Sequence, residues 1–194
     1  MDPIRKFALW FRTAVEESPA EWNDPTAMTL ATSDKNGRVT ARMVLLKQFG
    51  ADGFIFFTNY NSRKGRQLSE NPRAALVFFW PYLYRQVRIE GRIERVSFEE
   101  SDKYFHSRPR LSQIAAVVSP QSEVIPSRQS LISDFSALKR KLGRQEVKLP
   151  KNWGGYRLVP DTIEFWHSRK NRLHDRQRFR KTNEGTWKSE LLAP

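Results

Sequence analysis

Residues 85–96 read Arg-Gln-Val-Arg-Ile-Glu-Gly-Arg-Ile-Glu-Arg-Val, and this stretch decides the class of fold. Its apolar or small residues, Val87, Ile89, Gly91 and Ile93, alternate with charged or amide residues. A period of two predicts a strand with one buried face and one wet face. Such one-sided strands are typical of antiparallel sheets, because parallel strands are buried on both faces.

Similar strand patterns lie on both sides of this stretch. The Asn-Gly pair at 36–37 is the turn signal of a hairpin, and Asn183-Glu184-Gly185 predicts a second turn near the C-terminus. The segments predicted as strands are 28–33, 39–49, 54–58, 74–80, 85–96, 156–159, 162–167, 173–181 and 187–192.

Helix signals separate some of these strands. Asp2 and Pro3 predict the start of a helix over 3–17, Ser97 and Glu100 form a capping box, and Gly143 predicts a helix end. The other predicted helices follow Ser62, Pro109 and Ser127. We therefore predict a mainly β protein, an antiparallel barrel with peripheral helices, in which residues 1–194 form one domain that includes the C-terminal strands from about 155.

The composition excludes several classes of protein. The 194 residues include no cysteine and three histidines, which excludes disulfides and thiolate sites and argues against a metal centre. No apolar run reaches the roughly 20 residues of a membrane span, and the start of the chain shows no secretory leader. We expect a soluble, cytoplasmic protein with no membrane partner.

The charge points to an anionic partner. The formal net charge is +13, and residues 101–194 carry 19 basic against 9 acidic residues. Charge alone leaves nucleic acid, a membrane surface and small phosphates open. The sequence contains no dinucleotide-binding glycine motif, no phosphate-binding Walker loop and no nucleophile elbow. An enzyme with this sequence is therefore expected to use an organic cofactor.

The first candidate cluster is the strand Arg42–Lys47, with a cation at each end. Strict alternation places Arg42 and Lys47 on opposite faces, so a shared ligand requires a bulge, or else the two bind different ligands. A buried strand with polar ends explains the pattern equally well.

The second cluster is Phe57–Lys64, where a strand ends and a helix begins at Arg63 and Lys64. Free N–H groups and the helix dipole favour a phosphate at such a place. An ordinary capped surface helix is the alternative.

The third cluster is Tyr104, Arg108 and Ser112, spaced four residues apart. Two hydroxyls beside a guanidinium can bind a phosphate. Unconnected surface residues are the alternative, which the spacing alone favours.

The fourth cluster consists of basic residues at alternate positions of one predicted strand, close to the aromatic pair Phe165 and Trp166. Its members are Arg172, His174, Arg176, Arg178 and Arg180. An anion next to the row would relieve repulsion between like charges, and the aromatic rings could pack on a flat ligand. A solvated basic edge strand is the alternative.

These segments together resemble the pyridoxine/pyridoxamine 5'-phosphate oxidase family. The matching stretches run nearly from end to end, and it is their number and order that make the resemblance specific. They are DPTAM, ARMVLLK, FFTNYNSRKG, NPRAAL, RQVRIEGRIERV, YFHSRPR-x-SQI, SPQS, WGGYR, IEFW, RLHDR and the terminal LAP.

The resemblance implies a homodimeric split barrel with FMN at the subunit interface. It further implies oxidation of pyridoxine or pyridoxamine 5'-phosphate to pyridoxal 5'-phosphate, with a hydride passing from C4' to flavin N5 and O2 forming H2O2. With the amine substrate, ammonia is also released. A flavin barrel for another substrate, such as the related phenazine-pathway oxidases, is the alternative, and a nucleic-acid-binding module is a more distant one.

The resemblance also assigns residues to roles. FMN is expected to contact Arg42, Met43, Val44, Leu45, Leu46, Lys47, Phe57, Thr58, Arg63, Lys64, Gln86, Gln121, Ser122, Trp166 and Arg176. The substrate is expected to contact Lys47, Tyr104, Arg108, Ser112, Arg172, Leu173 and His174. Of these, Arg172 and His174 are the expected catalytic residues at the pyridine ring, and Asp24 is a weaker active-site candidate. Arg178 and Arg180 match no family motif and are expected to form a solvated basic edge.

Two departures from the family pattern affect these expectations. Family members usually carry a further N-terminal Arg-Arg-x-Tyr segment that folds over the substrate, and this sequence begins just after its place. FMN binding is therefore expected more firmly than turnover. Leu191 stands where the family commonly has arginine, so one family contact is expected to be absent.

Overall fold

A computed structural model describes residues 2–20 and 23–194, and within them it contains five α-helices and nine strands. The helices are α1 (Pro3–Glu16), α2 (Arg63–Glu70), α3 (Phe98–Ser107), α4 (Arg110–Val118) and α5 (Arg128–Leu142). The strands are β1 (Ala27–Ser33), β2 (Val39–Leu45), β3 (Gln48–Gly50), β4 (Gly53–Asn59), β5 (Arg73–Trp80), β6 (Arg85–Arg95), β7 (Trp153–His167), β8 (Asp175–Lys181) and β9 (Trp187–Leu191).

All strand pairs are antiparallel, in the order β2-β1-β5-β6-β7-β4-β3, and β8 and β9 extend the sheet from β7. The sheet curls back on itself where β2 ends. There the Leu46 N–H donates to the Thr26 carbonyl (2.9 Å), and the Lys47 N–H donates to the Ile55 carbonyl (2.8 Å). The mainly β antiparallel architecture predicted from the sequence is confirmed.

This junction corrects one strand prediction. Residues 39–49 do not form one strand, because the chain leaves β2 after Leu45 and joins β4 through β3. The simple alternation that set Arg42 and Lys47 on opposite faces therefore stops at Leu46.

The long strand β7 corrects a second prediction, since residues 156–159 and 162–167 belong to one strand. Its register against β6 shifts between Glu90 and Gly91, which lets Pro160 sit inside the strand at an irregularity. A Cβ at Gly91 would lie 2.1 Å from the Val159 carbonyl oxygen, so only glycine fits at this crossing.

The main core lies between the inner face of the sheet and α1. Phe7 of α1 is fully buried, and its ring meets those of Phe54 and Phe78 edge to face at 4.9 and 5.1 Å. A smaller core under α3, α4 and α5 contains Phe105 and Trp153. No helix in the described ranges is long and apolar enough to cross a membrane.

Candidate active site

The start of α2 follows directly on the end of β4, as predicted. The Ser62 hydroxyl caps the helix by accepting a bond from the Gly65 N–H (3.3 Å). A Cβ at Gly65 would lie 2.1 Å from the Tyr60 carbonyl oxygen, so glycine allows the tight entry into the helix. The helix therefore begins close to the sheet, with Arg63 and Lys64 in its first turn.

Lys64 is a buried cation surrounded by neutral oxygens. Its Nζ donates to Gln121 Oε1 (2.9 Å) and Thr58 Oγ1 (3.2 Å), and it lies 3.5 Å from Ser62 Oγ. Burial and then the charge of Arg42 lower the pKa of Lys64 to about 8. The side chain therefore carries a charge near neutral pH in a place that disfavours it.

Arg42 lies beside Lys64 and is also held by neutral acceptors. Its Nη1 donates to the Leu30 carbonyl (3.0 Å) and to Thr32 Oγ1 (2.7 Å), and its Nη2 donates to Thr40 Oγ1. Burial, and then the charge of Arg63, lowers the pKa of Arg42.

Arg42, Arg63 and Lys64 thus form a cluster of three neighbouring cations. Across residues 2–20 and 23–194, none of the three makes an ion pair with a carboxylate. Their mutual repulsion, together with the positive end of the α2 dipole, favours a bound anion such as a phosphate.

The third predicted cluster adjoins this one. Arg108 and Ser112 line a cavity of about 280 Å³, and the Arg108 guanidinium lies 4.9 Å from the centre of the Trp153 ring. The Tyr104 ring stacks on Phe57 at 3.9 Å. Burial lowers the pKa of Arg108, and the proximity of Tyr104 opposes this lowering only in part.

Arg108 carries an unused hydrogen-bond donor. Its Nη1 is buried and has no partner among the described residues. A buried donor without an acceptor is costly, and an anion in the cavity would remove that cost. Gln121 also lines this cavity while accepting from Lys64, so the two cationic sites are neighbours. The next residue, Ser122, is exposed and has a positive φ of 72°.

Three other residues that are predicted to bind FMN form a row near the C-terminal end of β7. Gln86 pairs with Trp166, and Trp166 pairs with Arg176, so the three side chains share one face of β6, β7 and β8. Arg176 Nε donates to Glu164 Oε1 (2.8 Å), and Arg88 Nη2 donates to Glu164 Oε2 (2.9 Å). Glu164 is buried, so a carboxylate fixes the position of Arg176.

The predicted basic row on one strand is wrong in two respects. Arg172 and His174 lie in the loop before β8, which begins at Asp175. Arg178 and Arg180 do not lie on an edge strand, because β9 pairs with β8 and its Glu190 bonds both guanidinium groups, although Arg180 is exposed. Hydrogen bonds from Arg178 and then Arg180 lower the pKa of Glu190 to about 2.

The loop before β8 has an uncommon backbone. Asn171 and Arg172 both have positive φ, 57° and 62°, a conformation that often marks functional sites when it occurs outside glycine. His174 Nδ1 accepts the Arg169 N–H at 3.0 Å, which leaves the proton of a neutral ring on Nε2. The His174 ring lies 4.8 Å from that of Trp166.

The side chains of residues 43–47 differ in their exposure to solvent. Met43 and Leu45 are 61% and 39% exposed on the outer face of β2, and Lys47 is exposed beyond the strand end. Val44 is half-buried, whereas Leu46 lies in the core, so only its backbone can meet a ligand.

Asp24, the weaker candidate, forms a local turn. Its Oδ1 accepts the Thr26 N–H (2.9 Å) and the Thr26 hydroxyl (2.7 Å), which fixes the entry into β1. This geometry explains the residue without a ligand.

The predicted residues therefore form two separate groups at opposite ends of β7. Gly154 pairs with Thr58 at one end, and Trp166 pairs with Gln86 at the other. At about 3.3 Å per residue, a straight strand would set these ends up to roughly 40 Å apart. No hydrogen bond or ion pair within the described ranges joins the two groups, so one chain alone does not assemble all the predicted residues.

Four polar residues near these groups were not singled out from the sequence. Thr32, Thr40 and Gln67 support Arg42, and Glu164 supports Arg176. Each contacts a residue of another strand or helix, and no local sequence motif signals such a contact.

Comparison with known proteins decides the family. Residues 14–140 match the family model described as pyridoxamine 5'-phosphate oxidase. The chain belongs to the pyridoxamine 5'-phosphate oxidase family. Residues 153–194 match a second model of this family, described as the pyridoxine 5'-phosphate oxidase C-terminal dimerisation region.

Relatives in this family cover the whole chain. A pyridoxine/pyridoxamine 5'-phosphate oxidase of Trichormus variabilis is 51% identical over 193 residues, which is 100% of this chain and 89% of the relative. The pyridoxine-5'-phosphate oxidase of Bos taurus is 48% identical, over 100% of this chain and 79% of its own length.

Solved structures share the fold. PhzG from Burkholderia lata, in complex with tetrahydrophenazine-1-carboxylic acid, superposes with a TM-score of 0.93 at 30% identity, covering 100% of this chain and 93% of PhzG. A pyridoxamine 5'-phosphate oxidase-related, FMN-binding protein from Nostoc punctiforme superposes with a TM-score of 0.80 at 18% identity, covering 100% and 99%.

Proposed function

We propose that this chain is an FMN-dependent oxidase that converts pyridoxine or pyridoxamine 5'-phosphate into pyridoxal 5'-phosphate. The observation that carries the proposal is the pair of adjoining cationic sites, one at Arg42, Arg63 and Lys64 and the other at Arg108. The cofactor and the substrate each bring one phosphate ester, so two neighbouring anion sites are what this reaction requires. The names of the relatives at about 50% identity support the same reaction.

The residues present fit FMN. Arg42 and, in the first turn of α2, Arg63 and Lys64 have no carboxylate partner among the described residues and can bind its phosphate. The row of Gln86, Trp166 and Arg176 offers hydrogen-bond donors and an aromatic ring to a flat group. FMN, when bound, would accept a hydride from C4' of the substrate and pass the electrons to O2, which gives H2O2.

In the substrate site, too, some residues would bind the phosphate and others would contact the ring. Arg108 Nη1 and the Ser112 hydroxyl would bind the substrate phosphate, and the stacked rings of Phe57, Tyr104 and Trp153 would exclude water beside it. His174 would face the pyridine ring with its Nε2 proton, and Arg172 would add a charge there. Lys47, exposed in one chain, would complete the phosphate contacts.

We also propose a homodimer in which each active site takes one end of β7 from each copy. The 153–194 dimerisation match, and the failure of one chain to assemble the two groups, both support this arrangement. Exposed apolar side chains on the outer face of the sheet, among them Met43 (61%), Leu45 (39%) and Phe79 (58%), provide a surface for the second copy.

We further propose that residues 1–194 form a single domain. β7, which begins the second matched region, pairs with β4 and β6 of the first, so both regions contribute to one sheet.

Mixed dimers test the shared site. Arg108→Gln and His174→Ala subunits, each inactive as a homodimer, are co-expressed with different tags, and the heterodimer is purified. In a shared site one of its two pockets contains both native residues, so about half of the wild-type activity returns. Sites formed within single chains would instead leave the heterodimer inactive.

The chemistry is tested on the purified protein. We expect a yellow protein with a flavin absorbance band, and formation of aldehyde and H2O2 from pyridoxine 5'-phosphate. A colourless protein that does not take up FMN would contradict the proposal.

The likeness to PhzG favours one second candidate, a flavin enzyme for another substrate. In that case FMN binds, pyridoxine 5'-phosphate is not turned over, and substitutions at Tyr104, Arg108 and Ser112 do not change activity toward the true substrate.

A further inference from the structure

Gln67, on the face of α2 that packs against β1 and β2, makes hydrogen bonds through both the oxygen and the nitrogen of its side-chain amide. It is 5% exposed, and its Oε1 accepts from the hydroxyls of Thr32 (2.6 Å) and Thr40 (2.7 Å). Its Nε2 donates to the Arg38 carbonyl (3.2 Å). No family motif and no argument from the sequence assigns this residue a role.

The two threonines connect Gln67 to Arg42. Each hydroxyl has one proton, and each gives it to Gln67. Their lone pairs are therefore left for the Arg42 guanidinium, which donates Nη1 to Thr32 (2.7 Å) and Nη2 to Thr40. The amide oxygen thus fixes the direction of two bonds that orient the guanidinium plane.

All the groups that hold Arg42 in place are neutral: a backbone carbonyl, two hydroxyls and, behind these, the Gln67 amide. Arg176, by contrast, is held by the buried carboxylate of Glu164, which offsets its charge. A glutamate at position 67 would have nearly the same shape as glutamine and could accept the same two hydroxyl protons, although it would lose the bond to the Arg38 carbonyl. It would also place a negative charge next to the three cations, which would lower its pKa and keep it ionised.

We propose that Gln67 is a positioning residue for Arg42, and that its neutral amide leaves the charge of Arg42 available to the phosphate of the cofactor. The inference rests on the proposed function, because it takes the anion beside Arg42 to be the FMN phosphate. The expected effect is specific to the phosphate and not to the flavin ring.

The test compares FMN with riboflavin, which has the same ring system and no phosphate. Dissociation constants are measured on the apoprotein by quenching of flavin fluorescence, for the wild type, Gln67→Glu and Gln67→Met. We expect Gln67→Glu to raise the Kd for FMN by about 10–100-fold, as for loss of a charge-assisted contact, and to leave the Kd for riboflavin unchanged. Gln67→Met is expected to raise the Kd for FMN less.

Two controls make the result specific. Gln129→Glu adds the same charge on the exposed side of α5 and should change neither Kd. In an Arg42→Met background, Gln67→Met should have no further effect on FMN, because the residue it positions is gone. Inorganic phosphate should raise the melting temperature of the wild-type apoprotein more than that of Gln67→Glu.

Each outcome has one meaning. An unchanged Kd for FMN, or equal losses for FMN and riboflavin, would overturn the role of Gln67. If Gln67→Glu does not fold, Gln67→Met and Thr40→Val decide the question, and both must weaken FMN binding selectively. A wild-type apoprotein that binds no FMN would instead overturn the proposed function itself.

Discussion

The two groups of site residues at the ends of β7 treat their charges in opposite ways. We call them the phosphate half and the ring half. The phosphate half comprises Arg42, Arg63, Lys64, Arg108 and their supporting residues, and the ring half comprises Gln86, Trp166, Arg176 and the 169–175 loop. In the phosphate half none of these cations pairs with a carboxylate of the residues that the structure describes, whereas in the ring half Arg176 bonds Glu164 (2.8 Å) and Arg169 bonds Asp175 (2.6 Å).

This difference shows what each half can do. Desolvated cations that repel one another favour a bound anion, and relief of that repulsion gives the anion a large share of its binding energy. In the ring half, Arg169 and Arg176 are already paired with carboxylates and have little net charge to offer, but they are held in place. The phosphate half is therefore suited to affinity, and the ring half to the placement of a reacting group.

The largest effect expected from the ring half is on rate and not on affinity. In the proposed site His174 faces the substrate ring with its Nε2 proton, so His174→Ala should lower kcat by about 100-fold or more. The Kd for FMN should stay within about twofold, because the phosphate contacts are intact. Steady-state kinetics and a flavin titration of the same preparation measure both. Loss of flavin would show that the ring half binds the cofactor instead.

The matching change in the phosphate half is Lys64→Met. It removes a buried ammonium group worth roughly 1.5–3 kcal/mol to a bound anion, so the Kd for FMN should rise about 10–150-fold. Lys103→Met, an exposed lysine of α3, is the control. If both variants bind FMN like the wild type, the phosphate half is misassigned.

The lowered pKa of Lys64 predicts how FMN affinity depends on pH. Only the charged ammonium binds the phosphate well, and in the free protein it loses its proton at a pH of about 8. The Kd for FMN should therefore change little between about pH 6.5 and 7, where the phosphate is mostly doubly ionised and Lys64 is charged, and rise by up to about tenfold per pH unit above pH 8. Lys64→Met should remove this rise. A flat wild-type profile to pH 10 would contradict the assignment.

The smallest effect concerns His106, next to the phosphate half. Its Nδ1 and Nε2 lie 3.0 and 3.1 Å from the carbonyl oxygens of Asp102 and Val147, and only the protonated, charged ring can donate to both. Burial opposes this charge, but those carbonyls and the carboxylates of Asp102 and Glu146 raise the pKa of His106 above its usual range. The contacts of His106 with Glu146 and Val147 hold the segment before β7 against α3.

Because the pKa is higher in the folded state, this stabilisation is complete below about pH 6.5 and is lost as the pH rises through the folded value. His106→Gln should lower the melting temperature by about 1–3 °C at pH 5.5, the size expected for a solvent-screened pair. At pH 9 the two proteins should melt together. Thermal scans at both values measure this, and a pH-independent difference would contradict it.

Local patterns in the sequence predicted the parts of the fold that depend on near neighbours. Alternation identified β6, the capping residues Ser62 and Ser97 marked two helix starts, and Gly143 marked a helix end, all of which the structure confirms. Resemblance to the family supplied the site residues, since spacing alone favoured a surface role for Tyr104, Arg108 and Ser112.

What the sequence could not predict depends on pairing between distant strands. The cover of β8 by β9 turned a predicted edge into an interior strand, and neutralised Arg178 with Glu190. Gln67 meets Thr32 and Thr40 only because β1, β2 and α2 pack together, and no short motif records that packing. The separation of the two halves likewise follows from the length of β7.

That length has a geometric consequence for the assembled enzyme. In the proposed dimer, the first residues of one β7 strand belong to one pocket and its last residues to the other. The distance between the two pockets is then set by a single strand. Inserting two residues into that strand, which preserves the inward and outward alternation, would displace the walls of both pockets at once.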